Sequence, residues 1–167
     1  MKKMTEQNLK DGFAGESQAH VKYLAFAERA ERDGLASVAR LFRAASFAEQ
    51  IHGTAHLRAL NGIGTTAENL ASAIGGETFE FEEMYPAYIA VAKAQDEAKA
   101  ERSFERAMGA EKIHAALYAR AKEAADLGHD TEMGPVVVCG SCGYTAEGEA
   151  PDVCPYCGAK KERFVKF

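Results

Sequence analysis

The phrase FRAASFAEQIH at residues 42–52 returns without a gap as FERAMGAEKIH at residues 104–114, matching at Phe, Ala, Ala, Glu, Ile and His. Upstream of each copy a second set recurs, with Thr5, Asn8, Leu9, Gly15 and Glu16 corresponding to Thr66, Asn69, Leu70, Gly76 and Glu77. A repeat of this length constrains the fold more than any single motif, because both copies must adopt one supersecondary unit. Each copy has helical periodicity, with a Glu in its first half and Glu-x-x-His in its second. The repeat therefore predicts two helical hairpins, residues 5–60 and 66–127, and with them an all-α four-helix bundle.

Helix boundaries follow from local chemistry. Residues 5–127 are rich in Ala, Glu, Lys, Arg and Leu and contain one proline, Pro86. Thr5 is placed to cap the first helix, and Asp33-Gly34 to stop it. Ser37 is placed to cap the second helix, which ends near Leu60, and Thr65 or Thr66 to cap the third. Pro86 should kink the third helix or interrupt its hydrogen bonding. A cut near Gln95-Asp96 separates the fourth helix, which runs to Leu127-Gly128. GHDTEMGP then reads as a linker, and residues 136–167 change in kind to Val, Gly, Pro, Tyr and Cys. The expected domains are 1–130, a bundle, and 131–167, a small appendage.

Composition narrows the partners. The net charge of −5 leaves no basic stripe to neutralise a nucleic-acid backbone. No apolar run approaches the roughly 20 residues that a membrane span needs. MKKMTEQNLK starts basic but lacks the apolar region of a secretory signal, so a cytoplasmic location is expected. All four cysteines lie after residue 138, which favours a metal knot over a disulfide framework.

Glu-x-x-His alone is a weak signal, since a solvated Glu beside a satisfied His is the ordinary case. Position changes its meaning. Val38, Phe42, Ala45, Glu49 and His52 follow one inward helix face, as do Phe104, Ala107, Glu111, His114 and Tyr118. Acids in such stripes cost several kcal/mol each if they are buried without counter-charge. Two imidazoles cannot compensate four acids, whereas two divalent cations can, and oxygen-rich ligation with one imidazole per ion suits iron or manganese. A Glu from each of two helices plus Glu-x-x-His from each of the other two is the ligand pattern of di-iron carboxylate bundles.

On these residues the chain resembles rubrerythrin, a family with a ferritin-like di-iron bundle followed by a rubredoxin-like iron site. The matching phrases are GES (15–17), EQIH (49–52), GETFEFEEMYP (76–86), EKIH (111–114) and two cysteine knuckles. The resemblance implies Glu16, Glu49, His52, Glu77, Glu80, Glu111 and His114 as metal ligands, with Glu49 and Glu111 bridging. It also implies that Glu80, which has Ala19 in the corresponding place of the first repeat, exchanges with His52 at one iron as the redox state changes. Tyr23 and Tyr85 match tyrosines that hydrogen-bond the cluster carboxylates in the family, and with Glu80 they are the candidate catalytic residues. Glu82 and Glu83 read as a solvated edge, and His20 and His56 as packing residues beside the ligands.

CGSCGY (139–144) and CPYCG (154–158) place Cys139, Cys142, Cys154 and Cys157 as two Cys-x2-Cys knuckles, the spacing of a tetrahedral four-thiolate site. Spacing admits zinc as well as iron. A glycine after each second cysteine, Gly143 and Gly158, lets backbone N–H groups approach the sulfurs and tune a redox-active iron. These knuckles resemble those of rubredoxin, with a shorter intervening loop.

The resemblance implies a peroxidase that reduces hydrogen peroxide to water at the di-iron site. The four-cysteine iron would relay electrons from an external donor such as rubredoxin and its NADH reductase. The chain has no dinucleotide-binding fingerprint of its own. A ferroxidase or iron-handling protein, or an O2-reducing ferritin-like protein, would use the same bundle, and a structural zinc protein is the remaining alternative. Loop length adds an expectation about assembly. A second helix of about 36 Å cannot be retraced by the NGIGTT connection, which extends to about 20 Å. A homodimer that exchanges helical hairpins is therefore expected.

Overall fold

The computed structural model describes residues 1–167, which divide into two units, Met1–Gly64 and Thr65–Phe167. No helix is long and apolar enough to cross a membrane.

The first unit is a hairpin of α1 (Lys3–Arg32) and α2 (Ala36–Ala59). Neither start follows the capping expected above. α1 begins at Lys3 with no side-chain cap, and Thr5 lies within its first turn, where Glu6 N–H donates to the Lys2 carbonyl. Good helix formers ahead of Thr5 carry the helix past the capping residue. α2 begins at Ala36, and the Ser37 hydroxyl accepts from Arg40 instead of capping. The tight turn decides this start. Gly34 takes φ +75°, and Leu35 N–H returns to the Ala30 carbonyl at 2.8 Å, so the next helix starts at once. Small residues let the two helices close on each other: Ala27, Ala30, Ala39, Ser46 and Gly53 are buried. The Ser46 hydroxyl lies 2.9 Å from His20 Nδ1, joining the helices at mid-height.

The second unit repeats the hairpin with an interruption. α3 (Thr66–Phe79) opens on a complete capping box between Thr65 and Glu68. A five-residue π-helical stretch, Glu80–Met84, then leads into α4 (Tyr85–Ala94). Pro86 explains the widening, because it has no N–H to give the Glu82 carbonyl and its ring crowds that turn. The helix is thus interrupted just before Pro86, and Tyr85 N–H donates to Glu80, five residues back. Asp96 at φ +56° makes the break that was expected near Gln95-Asp96, and α5 (Ala98–Asp126) completes the hairpin.

After α5 come β1 (Val136–Cys139), β2 (Thr145–Glu147) and β3 (Phe164–Lys166), an antiparallel sheet ordered β2-β1-β3. A single 3-10 turn, Lys161–Arg163, precedes β3. The three short strands and the second knuckle bury little more than Val137, Cys139, Thr145 and Cys154. Such a piece depends on its metal for a fold. Glu147 ties it down: its carboxylate accepts from Gly134 N–H at 2.7 Å and from Arg120 of α5.

Candidate metal centres

The two copies of Glu-x-x-His build the same local geometry. His52 Nδ1 lies 2.9 Å from Glu49 Oε2 and 4.0 Å from Glu16. His114 Nδ1 lies 2.8 Å from Glu111 Oε2 and 3.9 Å from Glu77. The i, i+3 spacing sets the first distance in each pair, and helix packing within the hairpin sets the second. In each unit one ligand atom from every member of the trio falls within 4.8 Å of the others. Two carboxylates and an imidazole directed at one point form a hard, oxygen-rich donor set that suits iron.

The acids are less enclosed than core stripes would make them. The side chains of Glu16, Glu49 and His52 keep 31%, 20% and 55% of their exposure. The second trio is tighter, with 19%, 17% and 28% for Glu77, Glu111 and His114. The reason is that each hairpin alone supplies two helices' worth of cover. Even so, like charges meet. Burial, with a hydrogen bond to Glu111 and the charges of Glu111 and Glu80, pushes the Glu77 carboxyl up to about 7. A divalent cation removes that conflict.

Glu80 stands outside the trio yet beside it. Burial first, then the Glu111 charge, raises its carboxyl above the usual range. Tyr85 is raised by burial and then by Glu80, Glu111 and Glu77. Tyr23 packs against Phe26 and Phe42 at centroid distances of 6.2 and 6.0 Å. Glu82 and Glu83 are exposed. His20 serves the Ser46 contact, and the His56 ring sits over Gly12, where a Cβ would meet it at 3.1 Å.

Two further residues gain a place at the site from the packing. Tyr118, raised by burial and by Glu77 and Glu111, has its ring centroid 6.4 Å from that of His114. Its place seven residues after Glu111 was a usable signal, the same interval that separates Tyr23 from Glu16. Thr145 had no such signal. Its buried hydroxyl donates to the Gly143 carbonyl at 3.0 Å and lies 2.8 Å from His114 Nε2. With its proton committed to Gly143, that hydroxyl is placed to accept from Nε2–H, the tautomer that would present a bare Nδ1 to a metal held by the carboxylates.

The four cysteines close a second centre. Cys139 and Cys157 sulfurs are 3.7 Å apart, and those of Cys142 and Cys154 are 3.6 Å apart. These are non-bonded separations, close to the roughly 3.8 Å edge of a tetrahedron with sulfurs about 2.3 Å from a central metal. Gly143 and Gly158 take φ +80° and +73° and return their N–H groups to Cys139 and Cys154 carbonyls, both at 2.9 Å. Cys139 and Cys142 therefore sit in unlike fields. Burial pushes the Cys139 thiol up, but Ser141 N–H and neighbouring thiols outweigh it and bring it to about 7. Burial pushes Cys142 to about 12 against the opposing Tyr144 N–H. Backbone donors aimed at sulfur are the arrangement that tunes an iron–thiolate centre, so the donor set fits iron. The knuckles rest on α5 at Gly109, where a Cβ would collide with Tyr156.

Comparison with known proteins agrees with both centres. The rubrerythrin family model matches residues 7–122, and the model of the rubrerythrin rubredoxin-like domain matches residues 138–165. Rubrerythrin-2 of Clostridium acetobutylicum is 38% identical, the match covering 98% of this chain and 97% of that protein. Nigerythrin of Nitratidesulfovibrio vulgaris is 35% identical over 98% of this chain and 86% of its own. Solved structures of nigerythrin in a mixed-valence state and in a fully reduced, all-ferrous state superpose with TM-scores of 0.55 and 0.56, at 35% and 34% identity. Each of those matches covers 98% of this chain and 86% of the other.

Proposed function

The chain belongs to the rubrerythrin family, and on that premise we propose that it is a non-haem iron peroxidase that reduces hydrogen peroxide to water. The observation that carries the reading is the duplicated trio, in which His52 and His114 present Nδ1 to paired carboxylates at matching distances. Glu16, Glu49, His52, Glu77, Glu80, Glu111 and His114 hold the di-iron centre, and Cys139, Cys142, Cys154 and Cys157 hold a single iron. When bound, the irons supply the two electrons that convert one peroxide and two protons into two waters.

The chain's own residues manage the protons and the geometry. Thr145 is placed to hold His114 as the Nδ1 ligand tautomer. Tyr85 and Tyr118, both raised by burial and by neighbouring carboxylates, keep their phenolic protons at neutral pH beside the second trio. With Glu80 and Tyr23 they are the groups able to hold or hand over protons to peroxide oxygen. Electrons come from outside, from a donor such as rubredoxin fed by an NADH reductase, in the cytoplasm. The four-cysteine domain favours this reading over iron storage, which needs no port for a reductant.

The first hairpin carries three of the seven ligands and the second four, so a complete centre takes one hairpin of each kind. The connection Leu60–Thr65 reaches about 20 Å when extended, whereas α2, with 24 residues, is about 36 Å long. Two chains that exchange hairpins meet the parallel arrangement of a ferritin-like bundle; a single chain does not.

Anaerobic mixing of the fully reduced protein with a small excess of peroxide, enough to accept all three electrons of each chain, tests the activity. Loss of peroxide with reoxidation of the four-cysteine iron, seen as returning red colour, is the expected result. Persistence of peroxide over a colourless, reduced protein defeats it.

A further inference from the structure

On α5 three cations on one face make no ion pair of their own. Lys99, Arg102 and Arg106 lie at i, i+3 and i+7 along α5, on one helical face. Other basic residues nearby are engaged: Lys93 with Glu101 and Glu105, Arg120 with Glu147, and Arg163 with Ser141. Lys99, Arg102 and Arg106 make no ion pair and no side-chain hydrogen bond. They line the outer rim of a cleft of about 450 Å³ whose opposite wall is the first knuckle, at Ser141, Cys142 and Gly143, and which reaches Glu111 and His114 of the second trio. Arg102 and Arg106 also line a neighbouring cleft closed by Pro155 and Tyr156 of the second knuckle, with Glu105 at its edge.

The four-thiolate centre turns one side toward this face. Cys139 and Cys154 are buried, whereas Cys142 and Cys157 are half-buried, and Cys142 itself forms part of the cleft wall. We propose that the Lys99–Arg102–Arg106 face of α5, with the adjoining Cys142 knuckle, is the docking surface for an acidic electron-carrier protein. The inference rests on the peroxidase reading for the need of a carrier, and on the unpaired cations for its charge. A net charge of −5 repels an acidic partner at long range, so productive encounters require a local patch of opposite sign. Its position decides the use: the only uncompensated cationic stripe on α5 borders the exposed edge of the thiolate centre.

Binding of a reduced rubredoxin of net negative charge to the iron-loaded protein tests this, read as Kd at low and high salt. The paired variant R102E/R106E should weaken binding about tenfold or more at low salt and flatten its salt dependence. R102Q/R106Q should fall between it and the parent, with unchanged circular dichroism. K2E/K3E, which adds the same net charge at the chain start, should shift Kd by less than about twofold. Equal weakening by K2E/K3E would mean that net charge alone acts, and unchanged binding by R102E/R106E would mean that the carrier docks elsewhere. Either overturns the proposal. So would a result in which inorganic phosphate binds the cleft and its loss in R102E/R106E leaves rubredoxin binding intact. Peroxide consumption driven by a small chemical reductant is measured alongside. If it survives in R102E/R106E while rubredoxin binding is lost, the surface and the peroxidase reading both stand. If the parent binds rubredoxin but consumes no peroxide, only the peroxidase reading fails.

Discussion

At the scale of single residues, the consequential side chain is one that carries no charge. Thr145 links a strand of the four-cysteine domain to His114 on α5, placed to accept from Nε2–H while donating to the Gly143 carbonyl. Thr145→Val removes both bonds inside a buried site, and a loss of about 1–2 kcal/mol in unfolding free energy is expected. Thr145→Ser keeps the hydroxyl and should restore most of it. Denaturant midpoints of the two variants measure the difference, and the His114 ring-proton NMR signals report whether the Nε2–H tautomer survives. His52, 55% exposed, engages only the Glu49 and Glu16 carboxylates, so no equivalent substitution exists in the first repeat. Periodicity could identify both histidines as a pair but not this asymmetry, because it arises from a residue 31 positions away in sequence.

At the scale of elements, the helices obey local rules where those rules are strong. Thr65 and Glu68 form a reciprocal capping box. Thr65→Ala should cost about 1 kcal/mol, seen as a lower unfolding midpoint with unchanged metal content. Thr5 and Ser37 lose the same competition, since helix formers before Thr5 and the Gly34 turn before Ser37 start their helices earlier. Their replacement by Ala should be near neutral by the same measurement. The π-helical stretch was only half legible. Pro86 announces an interruption, but its form depends on α3 and α4 both keeping contact with α5.

The strand domain has a pH dependence of its own. Gly134 N–H, then Arg120, hold the Glu147 carboxyl below its ordinary value of 4.5. A carboxyl lowered by folding contributes stability that is present in full above that ordinary value. The contribution is lost as pH falls through the lower folded value. Protection of the Gly134 amide against hydrogen exchange should therefore hold down to about pH 4.5 and drop below it. Glu147→Gln should lower that protection above about pH 4.5 to the level the parent shows in acid, and so remove the dependence.

At the scale of the whole molecule, the proposed hairpin exchange rests on reach. If hairpin exchange arises because Leu60–Thr65 is too short, lengthening that connection removes the reason for it. Inserting on the order of 12 Gly/Ser residues after Asn61 should shift the protein from dimer toward monomer while iron content is kept. Sedimentation of the iron-loaded forms at matched concentration reads the change. A parent protein that is already monomeric with a full iron complement would end the exchange model.

How much of this was readable beforehand divides along a physical line. The repeat, the turns at Asp33-Gly34, Gln95-Asp96 and Leu127-Gly128, and the two cysteine knuckles are written in interactions between residues a few positions apart. Helical spacing and turn chemistry act there with little outside help. The same short range puts Glu49 beside His52 and Glu111 beside His114 before any tertiary contact forms. The sequence alone therefore determined the helical hairpins and their turns, the pairing of Glu with His and the four-thiolate spacing, but not the three strands or the π-helical stretch. Tertiary structure alone decided how far the acids are enclosed, which imidazole nitrogen meets Thr145, and that Lys99, Arg102 and Arg106 border Cys142. Burial, tautomer and charge neighbourhood are each set by groups distant in the chain, and no periodicity records which distant groups will meet.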